Sequence, residues 1–255
     1  MKAPLPLPTG LRSAPFSTSD AAAAAVVRSR LRRSDLVAPY RGTRAHAASF
    51  DGSLLARCRT YAADMPPSRC FSHATAARLH GIVLPSREVD DRALHVSNLR
   101  GGRAPRGPGV IGHTISLHEN SIASVDGLAV FAPSEVWCQL GARLTVAELV
   151  VAADSCLRRA GPLSTLGELR LAVARWRGRR GVDRLRAAIP LARERTDSAM
   201  ETLLRLAIVG AGLPEPIVNR PIQTAGRTLH GDLVYPRARL VIEYDGDHHR
   251  ADARQ

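Results

Sequence analysis

The sequence predicts a mixed fold of the α+β / α/β class, and three observations carry that prediction. Alanine- and arginine-rich runs near the start and from 166 to 195 place apolar residues at helical spacing. Short pieces in the middle, such as "ALHVS" and "LAVFA", read as strands bounded by Gly/Pro turns. The last stretch, 196–255, passes from a helix with one apolar face into three strand-like pieces. At 255 residues the chain exceeds one typical domain of roughly 100–200 residues, so two or three structural units are expected. With 45% hydrophobic and 23% charged residues, its composition is that of a soluble globular protein.

The charge narrows the class of partner. Lys+Arg is 36 against Asp+Glu 23, a net +13, and nearly all the basic residues are arginine, whose planar fork binds phosphate. Such an excess points to a polyanion, most simply nucleic acid. Replacement of lysine by arginine on solvated faces would explain the arginine preference but not the sign. Cys58, Cys70, Cys138 and Cys156 lie far apart, with no CxxC pair and no histidine at zinc-ligand spacing. They read as buried apolar residues of a reducing compartment rather than as a disulfide framework or a zinc site. No apolar run approaches the roughly 20 residues needed to span a bilayer, so no membrane partner is expected.

Residues 1–15, "MKAPLPLPTGLRSAP", lack the apolar core of a signal peptide and read as a flexible lead-in to a cytoplasmic protein. In 16–60, Ser19 or Asp20 caps a helix whose body is the alanine run. A second short helix, from Arg28 to Ser34, carries "RSRLRR", and "LVAPYRGTRAH" turns at Pro39 and Gly42 as a small β wing would. Helix, turn, arginine-bearing helix and basic wing resemble a winged helix-turn-helix, in the form found at the start of abortive-infection type IV antitoxins. That resemblance implies contacts to DNA from Arg28, Arg30, Arg32 and Arg33, with Arg41 and Arg44 in the wing. The alternative is a small helical pair with a solvated arginine face.

In 61–165, Ser72 caps a helix through Ala74, Ala77 and Leu79 that ends near Gly81. The strand-like "ALHVS", "VIGHTIS" and "LAVFA" follow, with the basic loop "NLRGGRAPRGPG" among them. Pro133 then opens one helical stretch, and "TVAELVVAADSCLRRAG" forms another. This order resembles the antitoxin-like α/β segment that often precedes nuclease domains in actinobacterial proteins. His73, His80, His95, His113 and His118 stand at no metal spacing and read as core or surface residues, and Asp154 reads as structural. The connector 166–195 is helical and basic: Arg175, Arg177, Arg179 and Arg180 surround Trp176, either along a phosphate backbone or as the solvated side of a helix pair.

The chemistry concentrates in 196–255. Met200, Leu203, Leu204, Ala207, Ile208 and Ala211 mark the helix, and Ser198 with Glu201 matches the S-x-x-E capping box. Strands are expected at Ile217–Ile222, Thr228–Tyr235 and Leu240–Tyr244. Glu201 then sits on the helix, Asp232 on the second strand, and Glu243 and Asp245 at the end of the third. Carboxylates at these stations can converge on Mg²⁺ (or Mn²⁺), a hard cation that lowers the pKa of a bound water. Attack on an anionic phosphodiester needs such neutralisation, and a bare buried acid cluster would be costly.

"ETLLRLAIVGAGLPEPIVNRPI", "HGDLVYP" and above all "LVIEYDGDHHR" resemble the very-short-patch-repair-type endonuclease domain, a branch of the PD-(D/E)XK nuclease superfamily. The resemblance implies a restriction-endonuclease-like mixed sheet with flanking helices and metal-dependent cleavage of DNA. It places Asp232 and Glu243 on the metal, with Asp245 where many relatives carry a catalytic lysine and Glu201 assisting. Lysine's role would then fall to His248 or His249, as acid/base or as orienter of the water. Relatives continue past this motif with a basic helix and another strand, so the unit is expected to be truncated at Gln255. A catalytically inactive DNA-binding regulator or antitoxin-like protein with a degenerate nuclease remnant is the alternative, and composition does not separate RNA from DNA.

Overall fold

The computed structural model describes residues 5–99, 101–115, 121–224 and 226–244. The expected sites Asp245, His248 and His249, like His118, lie outside the described residues. The fold is α+β, with helices and mixed sheets, and the chain divides into two compact units. The first takes residues 1–79 and 89–132, the second residues 80–88 and 133–255, so the division runs through the stretch 61–165 rather than at its ends.

In the first unit, β1 (Phe16–Ser17) leads directly into α1 (Thr18–Ala23). The helix cap is Ser17, not Ser19 or Asp20: the Ser17 hydroxyl accepts the Asp20 N–H at 2.9 Å, and the Asp20 carboxylate accepts the Ser17 N–H at 3.3 Å. This pair forms a reciprocal capping box. The alanine run ends early because Ala24 and Val26 pack against Leu7, Leu11, Phe16, Ala21, Leu31 and Leu36, and burial outweighs helix propensity there. The helix expected from Arg28 to Ser34 is only a 3-10 turn at Arg30–Arg32. Arg30 is turned inward, donating through Nε to the Leu5 carbonyl at 2.6 Å and through both Nη atoms to the Asp35 carboxylate at 2.9 and 2.7 Å. Next, β2 (Leu36–Val37) and β3 (Thr43–His46) join β1 in a three-stranded antiparallel sheet ordered β1-β3-β2.

After α2 (Leu54–Ala62), a helix the apolar pattern does not announce, the unit builds its main sheet. The strands are β4 (Arg69–Phe71), β5 (Leu94–Asn98), β6 (Val110–Thr114), β7 (Ile122–Val125) and β8 (Leu128–Phe131), with α3 (His73–His80) after β4. They run in the order β6-β5-β4-β8-β7. β5 pairs antiparallel with β4 and parallel with β6, and Phe71, Leu94, Val96, Val130 and Phe131 are buried around it. In β6, a Cβ at Gly112 would run into the backbone of Pro105, so this strand passes the loop before it only as glycine.

The second unit opens with α4 (Ser86–Val89) and continues with α5 (Pro133–Leu140), α6 (Val146–Cys156), α7 (Leu166–Arg175), α8 (Val182–Ala188) and α9 (Ala199–Gly210). Thr145 with Glu148 and Thr165 with Glu168 form complete capping boxes on α6 and α7. Trp137, fully buried on α5, donates from Nε1 to the Leu149 carbonyl of α6 at 2.8 Å. Gly181, at φ +85°, lies so close to the Gly141 backbone that no Cβ fits there. The strands β9 (Ile217–Thr224), β10 (Arg227–Tyr235) and β11 (Leu240–Ile242) form an antiparallel meander ordered β11-β10-β9.

One buried polar network ties α9 to α6. Asp154 and Arg205, each 1% exposed, form an ion pair at 2.9 Å. Asp154 also accepts the Thr202 hydroxyl at 2.9 Å and the Arg193 N–H at 2.7 Å, while Arg205 reaches Glu215 at 3.0 Å. Burial pushes the Asp154 carboxyl above its ordinary range, against the pull of these donors. All four cysteines are free and buried, and desolvation raises the Cys58, Cys70 and Cys156 thiols to about 12, so they are inert.

Candidate functional site

The strand registers of the second unit bring the expected acids into one row. Leu233 pairs with Val218 and Gly231 with Arg220, so Asp232 stands opposite Asn219 on β9. On its other side Leu233 pairs with Ile242, which puts Glu243 beside Asp232 just past the end of β11. The Tyr244 N–H donates to Asp232 Oδ2 at 3.0 Å and fixes that carboxylate. Glu201 comes from α9. Its backbone N–H is capped by the Ser198 hydroxyl at 3.2 Å, as the box predicts. Its carboxylate Oε2 accepts the Asp197 N–H and the Asn219 Nδ2, both at 3.1 Å.

Asn219 therefore links the helix acid to the strand row. It is 3% exposed and adopts φ +46°, a left-handed conformation that asparagine tolerates better than most residues. Its place within "VNRP" gave no periodic signal, and only the strand pairing reveals it.

The electrostatics are those of neighbouring like charges. Burial raises the Glu201 carboxyl above its ordinary range, and the Asp232 charge adds to the effect. Glu243 lies on the surface, yet partial desolvation and then the charge of Asp232, with which it shares a side-chain hydrogen bond, hold it up as well. Both shifts are of the kind a bound divalent ion would reverse. The three acids do not close into a compact set. Among the described residues, the group whose ligand atoms all lie within 4.8 Å of one another is His73, His95 and His113. These histidines, spread over the sequence without metal spacing, are gathered by β5, β6 and the start of α3.

The arginines differ in exposure. Arg30 is buried on Asp35, and Arg44 donates to the Leu31 and Thr43 carbonyls at 2.8 and 2.6 Å. Arg28, Arg32, Arg33 and Arg41 are exposed. In the connector, Arg175 pairs with Glu135 at 2.8 Å and Arg179 stacks over Trp176 at 4.5 Å, while Arg177 and Arg180 are exposed. Among the described residues, no helix is long and apolar enough to cross a membrane.

No family model matches the chain. It is similar to two uncharacterized proteins of Mycobacterium tuberculosis, Rv2248 of strain ATCC 25618 / H37Rv and MT2308 of strain CDC 1551 / Oshkosh. Each is 33% identical over 122 residues, which is 48% of this chain and 44% of the relative, so the chain spans less than half the length of these proteins. Among solved structures, the RV2827C protein of Mycobacterium tuberculosis aligns over 84% of this chain and 85% of its own, at 16% identity and a TM-score of 0.47. A likeness at that level carries no argument about function.

Proposed function

We propose that the chain is a divalent-metal-dependent DNA endonuclease of the PD-(D/E)XK class, acting in the cytoplasm and hydrolysing phosphodiester bonds. The observation that supports this most is the row Asn219, Asp232, Glu243 with Glu201 beside it, the Glu201 and Glu243 carboxyls held above their ordinary range by desolvation and by the charge of Asp232. Asp232 and Glu243 would hold Mg²⁺ or Mn²⁺, with Glu201 and Asp245 completing the acids. Bound there, the ion would neutralise charge on the phosphate and lower the pKa of a water. Asn219 and the Tyr244 N–H each bind one carboxylate oxygen, on Glu201 and Asp232, and so orient those two acids. His248 or His249 would orient the water or exchange its proton. Arg28, Arg32, Arg33 and Arg41, with Arg177 and Arg180, supply exposed charge for a phosphate backbone.

A second reading is an inactive DNA-binding regulator, which the exposed Arg28, Arg32 and Arg41 of the N-terminal stretch would serve without any use of the acids. Incubating supercoiled plasmid with the protein and Mg²⁺ or Mn²⁺, beside Asp232→Ala and Glu243→Ala variants, separates the two. Nicking by the parent that falls roughly 10²–10³-fold in each variant supports the nuclease. DNA binding without nicking, or equal nicking by all three proteins, supports the regulator.

A further inference from the structure

We propose that His73, His95 and His113 form a transition-metal site of the Zn²⁺ class in the five-stranded sheet, separate from the carboxylates. The topology places the three rings together. In the parallel pair β5–β6, His95 is in register with Ile111 and Ser97 with His113, so His95 and His113 occupy the same face one step apart. On the other side of β5, β4 delivers the chain to His73: the Ser72 N–H donates to the His95 carbonyl at 3.0 Å, and the His95 N–H donates to the Thr75 hydroxyl at 2.8 Å. His95 Nδ1 and His113 Nε2 lie 3.0 Å apart. Two ligands of a tetrahedral Zn²⁺ with Zn–N bonds of about 2.0–2.1 Å stand about 3.3 Å apart, so a small separation of the rings admits the ion.

The surroundings suit metal ligands. His95 is 1% exposed and faces His113 through Nδ1, while its Nε2 lies 3.7 Å from Asp91 Oδ2. At that distance, beyond a hydrogen bond, the Asp91 carboxylate acts on the ring through its charge. His73 Nδ1 is 3.1 Å from the Ser72 hydroxyl, and His73 holds φ +49°, a conformation that costs energy in a residue with a Cβ. The rings are stacked, His73 on His113 with centroids 3.7 Å apart and 18° between planes. Seating an ion therefore requires each ring to turn about its Cβ–Cγ bond, a broad and soft torsion. Two of the three rings are partly exposed, which leaves a fourth position open to water. Three nitrogen donors favour Zn²⁺, Co²⁺ or Ni²⁺ over Mg²⁺, so the site selects a different class of ion from the acids.

The test uses full-length, tag-free protein stripped with a chelator and titrated with Co²⁺, then with Zn²⁺ in competition. The expected result is ~1 Co²⁺ per chain with the visible bands of four-coordinate cobalt and no thiolate charge-transfer band, displaced by Zn²⁺. His73→Gln and His113→Gln should each weaken binding by at least about 10–100-fold, the loss seen when even an outer partner of a ligand is removed. Paramagnetically shifted imidazole N–H resonances in the parent count the histidine ligands without any substitution, should a variant fail to fold. Absence of cobalt bands, bands that persist in both folded histidine variants, or a thiolate charge-transfer band would overturn the proposal and leave the rings a metal-free stack.

Discussion

The acids around Asp232 and the histidines around His95 are both clusters of ligand-type side chains, but they are assembled in opposite ways. Glu201, Asp232 and Glu243 come from a helix and strands that follow one another in the chain, and adjacent antiparallel registers align the strand pair. His73, His95 and His113 come from a helix start and two parallel strands separated by a long connection. The first cluster is anionic, and desolvation followed by the charge of Asp232 raises Glu201 and Glu243. The second consists of stacked rings with nitrogens already 3.0 Å apart. Close approach costs hard oxygen donors energy until a cation arrives, whereas imidazoles can approach first and bind a softer ion afterwards.

The largest test of this contrast is at Asp154. Asp154→Ala takes from Arg205 its fully buried partner and leaves it only the more exposed Glu215, and is expected to cost about 3 kcal/mol in urea unfolding. Because that network anchors α9, stabilisation of the protein by Mg²⁺ should disappear before Co²⁺ binding at the histidines does. A smaller effect is expected from Thr145→Ala, which removes the cap of α6 beneath the same network and should cost ~1 kcal/mol, read as a lowered urea midpoint with unchanged slope.

The smallest effect is in the pH dependence. Raised folded-state pKa values mean that Glu201 and Glu243 hold their protons more tightly in the folded protein. Their contribution to stability is full below the ordinary carboxylate range and is lost as pH rises through the raised values. Without metal, the parent should therefore lose stability relative to Glu201→Gln as pH rises across that window, and Mg²⁺ should reduce this relative fall. A fall that Mg²⁺ leaves untouched would break the link between the acids and the ion.

Much of the acid site is legible in local pattern. The helix with Ser198 at its cap and the three strands at 217–224, 227–235 and 240–242 fall close to where apolar spacing and turn residues place them. The basic N-terminal stretch is less legible. Arg30 and Arg44 look like surface charge, yet each is satisfied by partners inside the unit, and the expected second helix shrinks to one turn around Arg30. A guanidinium carries enough donors to be buried when a carboxylate and carbonyls meet it, and no periodicity announces those partners.

The same division holds for the sites. Helix caps, strand alternation and the spacing of Asp232 from Glu243 depend on neighbours within a few residues, so the amino-acid order alone specifies them. Asn219 beneath Glu201 and the meeting of His73, His95 and His113 depend on which strands pair and in what register, and the Asp154–Arg205 pair on how α6 packs against α9. Residues 18 to 51 positions apart are brought within bonding distance there, and that choice belongs to the packing of the whole unit rather than to any local stretch.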